Sequence, residues 1–286
     1  MKWFVTGATG FVGSHFMDAA HRRGHELLAL RRSANSQPRM ELQSQPTWID
    51  CQMHDLTVAD LRDTDAVVHL AAHSANVPYD TLENCLHWNV TVPLAMFRTA
   101  IAAGVKRFVV AGSCFEYGAS GSRYEFIPTN APLEATLSYP ASKAIASIAF
   151  ASLASETGIE LSVHRIFHVF GPGEAATRLW PSLKAAAQAG EDFDCSPGEQ
   201  VRDFIAVQDV AQQLVQAAET PGTPGSATFH HIGTGTAQTL RQFAETWWRH
   251  WDAKGTIHFG AKPYRDDEVM RFVPEMSNSL ESPGCS

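Results

Sequence analysis

Residues 138–143, SYPASK, place a phenol and an ammonium four residues apart, at Tyr139 and Lys143. On a helix, positions i and i+4 share one face. A lysine there stabilises the phenolate and lowers the tyrosine pKa from its usual value of about 10. Such a tyrosine passes a proton to or from a substrate oxygen near neutral pH. Pro140 in the first turn fits an ordinary helix start equally well, and Y-x-x-x-K arises often by chance. The pair gains weight from VVAGSCFEYG, where a strand-like run ends on Ser113, a hydroxyl suited to hydrogen-bond the same substrate oxygen.

The other chemistry-bearing stretch is at the N-terminus, MKWFVTGATGFVGSHF, with Gly7, Gly10 and Gly13 spaced G-x-x-G-x-x-G. Glycine permits a tight turn and close helix–strand packing. A strand, a Gly-rich turn and a helix start also make a phosphate cradle of backbone N–H groups and helix dipole. Because the glycines follow a strand-like run and precede a helix-like one, the expected ligand is a dinucleotide. Its contacts would come from Gly7, Thr9, Gly10, Phe11, Val12 and Gly13.

These groups need a scaffold, and the chain alternates in the required way. KWFVTG, ELLALR, AVVHLAA, RFVVAGS and LSVHRIF read as strands; FVGSHFMDAAHRRG, HWNVTVPLAMFRTAIAAG and SKAIASIAFASLASETG read as helices. Gly24, Gly104 and Gly158 stand where helices should stop. Near-continuous apolar strands separated by helices predict an α/β fold, a doubly wound parallel sheet of Rossmann type, with ligands at the carboxyl ends of the strands. After about Phe170 the texture changes to Gly/Pro-rich breaks, GPGEAATR, SPGEQ and ETPGTPGSA. Residues 1–169 are therefore expected to form mainly the dinucleotide-binding part, and residues 170–286 mainly a smaller substrate-binding lobe interleaved with it. The last stretch, MSNSLESPGCS, is polar and expected to be loosely held.

The residue that reads the adenosine ribose lies about 20 residues beyond the glycines, at the end of the second strand. There LALRRSANS offers Arg31 and Arg32 and no carboxylate. A carboxylate accepts hydrogen bonds from free ribose hydroxyls, whereas arginine pairs with a 2′-phosphate. The expected cofactor is NADP(H). In CQMHDLTVADL, Asp55 is expected near the adenine amino group, with Leu56 packed beside it.

Composition narrows the class. The chain has 286 residues, 44% hydrophobic and 18% charged, as in a soluble globular protein. A net charge of −8 argues against nucleic acid as a partner. The five cysteines, Cys51, Cys85, Cys114, Cys195 and Cys285, are scattered and odd in number, which fits reduced thiols in the cytoplasm and neither a disulfide framework nor a zinc site. Thirteen histidines show no metal-ligand spacing. With Met1 leading straight into a strand and no apolar run of spanning length, neither a signal peptide nor a membrane association is expected.

Taken together, TGATGFVG, HLAA, GSCFEYG, YPASK, RIFHVFGPG and VRDFIAVQDVA, in this order over roughly residues 1–211, resemble the extended short-chain dehydrogenase/reductases, the NAD(P)-dependent nucleotide-sugar epimerases, dehydratases and reductases. HHIGTGTAQTL resembles the segment that follows. The resemblance implies that Gly7, Gly10 and Gly13 hold the pyrophosphate and that Leu70, Ala71 and Ala72 run beside the cofactor. It makes Ser113, Tyr139 and Lys143 the catalytic triad. His168 occupies the place of a family asparagine that touches the sugar nucleotide, and imidazole can also donate a hydrogen bond. Arg202 matches a basic residue at the nucleotide diphosphate; a salt bridge to Asp203 is the alternative. Arg178 is a further candidate cation for the diphosphate. A homodimer through the second and third helices is also implied, since both carry more apolar residues than one sheet-facing stripe needs.

The reaction is narrowed by what is missing. Dehydratases of this family carry Asp-Glu directly after the catalytic hydroxyl residue; here those positions are Cys114 and Phe115, and phenylalanine does no acid–base work. Phe115 is left as a substrate contact. Glu116 lies one step further and should point elsewhere if the segment is extended. What survives is ketone/alcohol chemistry at one carbon. The resemblance is greatest to deoxysugar 4-ketoreductases, which use NADPH on a nucleotide-linked 4-keto-6-deoxyhexose, with dTDP favoured as the carrier. An NAD-dependent 4-epimerase and a non-catalytic NADP-binding regulator stay open beside it.

Overall fold

The computed structural model of the chain describes residues 1–265 and 268–276; the polar stretch expected to be loosely held lies, after Met276, outside them. The first half follows the predicted alternation: β1 (Lys2–Thr6), α1 (Phe11–Arg22), β2 (Glu26–Arg31), β3 (Thr47–Asp50), β4 (Ala66–His69), α2 (Leu82–Leu86), α3 (Val92–Ala102), β5 (Arg107–Ser113), α4 (Ser138–Thr157) and β6 (Glu160–Ile166). The later elements are shorter: β7 (His168–Phe170), α5 (Leu179–Ala189), β8 (Phe193–Cys195), β9 (Val201–Arg202), β10 (Phe204–Ala206), α6 (Val207–Glu219), β11 (Ala227–Ile232), β12 (Gln238–Thr239), α7 (Leu240–His250), β13 (Ile257–Phe259) and β14 (Arg271–Phe272).

Seven strands form one parallel sheet in the order β11-β6-β5-β4-β1-β2-β3. This is the doubly wound arrangement, whose strand order reverses between β1 and β4. β4 is buried throughout, and only the first residue of β1 escapes full burial, because helices cover both faces. Phe16, Met17 and Ala20 of α1 join Val210, Leu214 and Ala218 of α6 in one core layer. Met96 and Phe97 of α3 join Phe150 and Leu153 of α4 in the other. α6 and β11 thus return from the last third of the chain to the main sheet.

Two elements depart from the sequence reading. The edge strand β3, TWID, had not stood out: it is four residues long, with none of them fully buried. The helix expected from His87 begins instead as a π turn over His87–Thr91, with Pro93 near the start of α3. α4 ends at Gly158, which is left-handed (φ 75°) as a helix stop requires.

The short strands pair among themselves: β10 with β7, β9 between β12 and β14, and β13 with β8. An aromatic cluster holds α5 and α7 over them, with Phe243 stacked on Phe204 at 4.0 Å and Trp180 edge-on to Trp247 at 5.5 Å. Among the described residues no helix is long and apolar enough to cross a membrane.

Candidate active site

A cleft of about 1180 Å³ opens at the carboxyl ends of the central strands. One end is the glycine turn, and Gly7, Thr9, Gly10, Phe11, Val12 and Gly13 all line it. A Cβ on Gly13 would sit 2.0 Å from the Gly7 carbonyl oxygen, and one on Gly7 would sit 2.5 Å from the Ala71 nitrogen. Only glycine lets α1 start this close to β1 and to the chain leaving β4. Gly10 caps α1 without a side-chain hydrogen bond, and the first turn holds no acid. The helix therefore presents bare N–H groups and a positive dipole end to the cleft, which suits the pyrophosphate of a dinucleotide. Leu70, Ala71 and Ala72 line the same wall.

At the end of β2, Arg31 and Arg32 both line the cleft. Arg32 is exposed, while Arg31 donates to Asp50 at the end of β3 through Nε (2.5 Å) and Nη2 (3.2 Å) and lies over the Trp48 ring at 4.7 Å. Asp55 and Leu56 are corrected: Asp55 is exposed on a short turn outside the cleft lining and Leu56 is buried in the core, because that turn brings Gln52 and Met53 to the wall instead. Ser36, Gln37 and Arg39 also line this end and had gone unnoticed. Arg39 donates its backbone N–H to the Thr9 carbonyl (3.1 Å) and Nη1 to the Gly173 carbonyl (3.3 Å). Nothing in SANSQPRM signals that this loop folds back over the glycine turn.

Ser113, Tyr139 and Lys143 meet on the cleft lining. Ser113 ends β5, the other two share a face of α4, and all three are buried. Ser113 lies near enough to the Tyr139 phenol to pull its pKa down, and Lys143 Nζ donates to the Ala111 carbonyl at 2.7 Å. α4 is held in place by Asn89 of the π turn, which donates to Ser142 Oγ (2.9 Å) while Ser142 donates to the Tyr139 carbonyl (2.8 Å). Sequence reasoning expected a lowered phenol pKa. The structure reverses this: burial pushes the Tyr139 phenol up, Glu116 and Tyr79 add to the effect, and Ser113 opposes it. Burial also pushes the Lys143 ammonium down, with Glu116 opposing.

Beyond the triad, Phe115, His168 and Arg178 line the cleft. Phe115 stands edge-on to His168 at 5.8 Å. His168 is kept neutral by burial and by Arg202 and Arg178, and its Nδ1 is buried without a hydrogen-bond partner. Arg178 caps α5 and pairs with Glu174 at 3.3 Å; Glu174 also lines the cleft and had gone unnoticed. Arg202 is not on the cleft lining. It is buried and donates to Glu268 at 2.5 Å, and not to Asp203. Asp203 instead accepts from the Thr234 and Gly235 backbone N–H groups, at 2.9 and 2.6 Å. The residues after Ser113 form a 3-10 turn and not an extended segment. Glu116 nevertheless points away from the cleft, and Cys114 is buried with its thiol pushed up by that burial.

A doubly wound sheet with a glycine cradle joined to a Ser–Tyr–Lys site defines a nicotinamide-dinucleotide enzyme. Residues 3–232 match the family model described as the NAD dependent epimerase/dehydratase family, and the chain belongs to that family. It is 25% identical over 279 residues to the CDP-abequose synthase of Salmonella muenchen, covering 94% of this chain and 87% of that protein. Its fold is similar to the UDP-N-acetylglucosamine 4-epimerase from Methanobrevibacter ruminantium M1 in complex with UDP-N-acetylmuramic acid (TM-score 0.85, 23% identity, 97% and 90% of the two chains covered). It is also similar to MoeE5 in complex with UDP-glucuronic acid and NAD (TM-score 0.82, 24% identity, 96% and 90% covered).

Proposed function

We propose that this chain reduces the C4 ketone of a nucleotide-linked 4-keto-6-deoxyhexose, with NADPH as hydride donor. The observation that carries the reading is the site's proton inventory. The hydroxyl-bearing wall offers a proton-transfer phenol, Tyr139, near Ser113, and the two positions after Ser113 hold a buried thiol and a phenyl ring. Such a wall serves an oxygen at one carbon, and those two positions lack the paired acids that would expel a neighbouring hydroxyl.

Bound at the glycine cradle, the cofactor supplies a hydride. Ser113 and Tyr139 orient the substrate oxygen. Tyr139, held protonated by burial, donates its proton as the alcohol forms. A protonated phenol is the resting state that a reductase needs; an epimerase must first take a proton from an alcohol. Lys143, one turn on from Tyr139 in α4, is anchored on the Ala111 carbonyl.

Arg31 and Arg32, with Arg39 on the same wall, support NADP(H) over NAD(H). Residues 1–169 are read as mainly the cofactor part and 170–286 as mainly the substrate lobe, interleaved with it. In that lobe the open N-terminus of α5 with Arg178, together with the unpartnered His168 Nδ1, suits a nucleotide diphosphate and its sugar. The likeness to a CDP-abequose synthase favours a cytidine diphosphate carrier over the dTDP expected from the sequence. A cytoplasmic homodimer is part of the reading.

The test is incubation with NADPH and a panel of CDP-, dTDP- and UDP-linked 4-keto-6-deoxy sugars, following NADPH consumption and the product's C4 configuration by NMR. Stoichiometric consumption with one C4 alcohol formed is expected. Interconversion of C4 epimers without net NADPH loss would mean a 4-epimerase; NADPH binding with no turnover would mean a regulator.

A further inference from the structure

The 3-10 turn after Ser113 hides a carboxylate that the chemistry above leaves unused. Glu116 is fully buried. Its Oε1 accepts from the Ser113 backbone N–H at 2.8 Å. Its Oε2 accepts from Ser147 Oγ and from Arg165 Nε, both at 2.8 Å. Room for it comes from Gly112, where an added Cβ would lie 2.8 Å from Oε1. Arg165 of β6 continues the network, donating through Nη1 to the Tyr117 hydroxyl and the Thr129 carbonyl, each at 2.8 Å. His231 donates through Nδ1 to the Glu275 carbonyl (2.9 Å), so its Nε2 accepts from the Tyr117 hydroxyl (2.6 Å).

We propose that Glu116 is a positioning residue for proton transfer: one buried carboxylate fixes Ser113 from behind and ties the helix carrying Tyr139 and Lys143 to β6. The inference rests on the proton-donor reading of Tyr139. Tyr139, Lys143 and Ser147 stand at i, i+4 and i+8 of α4, on one face. Glu116 therefore grips both halves of the triad, Ser113 through its backbone and α4 through Ser147, and anchors both on β6. A buried ion pair does little for stability unless its remaining bonds are satisfied. Here the groups that satisfy the carboxylate's remaining bonds are Ser113 and Ser147, so the bonds the ion pair needs are the ones that hold the triad.

The charge has a second effect on the phenol. The ionisable groups acting on Tyr139 are Tyr79 from the loop after β4 and Cys114 and Glu116 from the turn after β5. Those facing Glu116 are Arg165 from β6, Tyr139 and Lys143 from α4, and Cys114 and Tyr117 from its own turn. A negative charge behind Ser113 favours the neutral phenol, so its removal lets Tyr139 ionise at lower pH.

The experiment compares wild type with Glu116→Gln and Glu116→Asp. It measures kcat and KM on a CDP- or dTDP-linked 4-keto-6-deoxyglucose, NADPH affinity by fluorescence, and Tyr139 titration by NMR of [4-13C]-tyrosine enzyme assigned with Tyr139→Phe. Glu116→Gln should lower kcat roughly ten- to a hundredfold, the scale of a small misplacement of reacting groups. KM and NADPH affinity should stay within about twofold, and the phenol should titrate at lower pH. Glu116→Asp keeps the charge but not the reach, so kcat should fall while the titration stays that of wild type. If Glu116→Gln does not fold around an unpaired Arg165, the aspartate variant alone decides. Unchanged kcat and titration in the variants, or a kcat loss matched by equal losses of NADPH affinity and thermal midpoint, would overturn the proposal. Should wild type turn over no keto-sugar, the proposed function fails, while the phenol titration still judges Glu116.

Discussion

Arg31, ending β2, and Asp50, ending β3, are paired side by side on the edge of the sheet, with the guanidinium bracketed by the carboxylate and the Trp48 ring. The arginine expected to read a 2′-phosphate thus already has an anion. Asp50 is half exposed, at 41%, while the Arg31 side chain is mostly covered, at 15%. Arg31 spends Nε and Nη2 on Asp50 and keeps further N–H donors for another anion.

Arg31→Ala should weaken NADPH roughly ten- to a hundredfold and NADH by much less, since hydrogen bonds to a charged group contribute about 1.5–3 kcal/mol. Asp50→Ala, which frees the guanidinium, should leave NADPH affinity unchanged or tighten it. Fluorescence titration with both cofactors checks this, and an unaltered NADPH/NADH preference in Arg31→Ala would refute the NADP assignment.

Tyr139→Phe removes the proton donor and little else, because Ser142 and Asn89 hold α4 by bonds that do not involve the phenol. NADPH affinity should persist while kcat falls about two to four orders of magnitude. Single-turnover absorbance at the NADPH band measures both. Near-normal turnover would take Tyr139 out of the mechanism.

The cofactor end of the fold was legible because each device there has a local signature. Glycines at 7, 10 and 13, apolar strands and the Tyr139–Lys143 interval all follow from short-range geometry. The substrate end was legible only in part. Arg202 pairs with Glu268, 66 residues away, and not with its neighbour Asp203; no local pattern announces such a partner. At the cofactor end too one expectation failed: Asp55 stands exposed on a 3-10 turn, outside the cleft lining. The phenol's raised pKa depends on burial and on Glu116, which meet Tyr139 only in the folded chain.

Arg202 tests the substrate lobe. Its guanidinium is buried beside His168 and held by Glu268. If the guanidinium leaves Glu268 for the diphosphate when substrate binds, Arg202→Ala should raise KM for the nucleotide sugar about tenfold or more with little change in NADPH affinity, because a ground-state phosphate contact contributes mainly uniform binding. Steady-state kinetics beside a cofactor titration separate the two. An unchanged KM, with preference for free sugars or small ketones, would remove the nucleotide sugar and leave the reductase chemistry standing.

The outer face of α4 is where the expected homodimer is tested. Ile148 is 62% exposed and Ile145 42% on that helix, with Leu137 exposed just before it. We expect a dimeric mass by light scattering at micromolar concentration, and Ile148→Glu should shift it toward monomer, since a charge at a packed apolar contact is costly to bury. A monomeric wild type would refute the dimer.

Acid should destabilise the fold before its carboxylates titrate. Burial pushes His69 and His164 down to about 3 and His231 to about 4, with Lys143, His230 and Arg165 respectively pushing the same way. Each is neutral in the folded chain and titrates near 6.5 when unfolded. The sign follows from proton counts. Above about pH 6.5 neither state binds the proton; below it the unfolded chain does and the folded chain does not, so stability falls as pH drops toward the folded pKa values. Each histidine contributes a slope of about 1.4 kcal/mol per pH unit in that window. Urea titrations between pH 7.5 and 5, above the carboxylate range, should show a midpoint falling steadily below pH 6.5. His69→Gln, which keeps a hydrogen-bonding group beside Thr6, should flatten that fall by about one histidine's share. A midpoint constant from pH 7 to 5 would mean that these imidazoles are solvated in the folded chain.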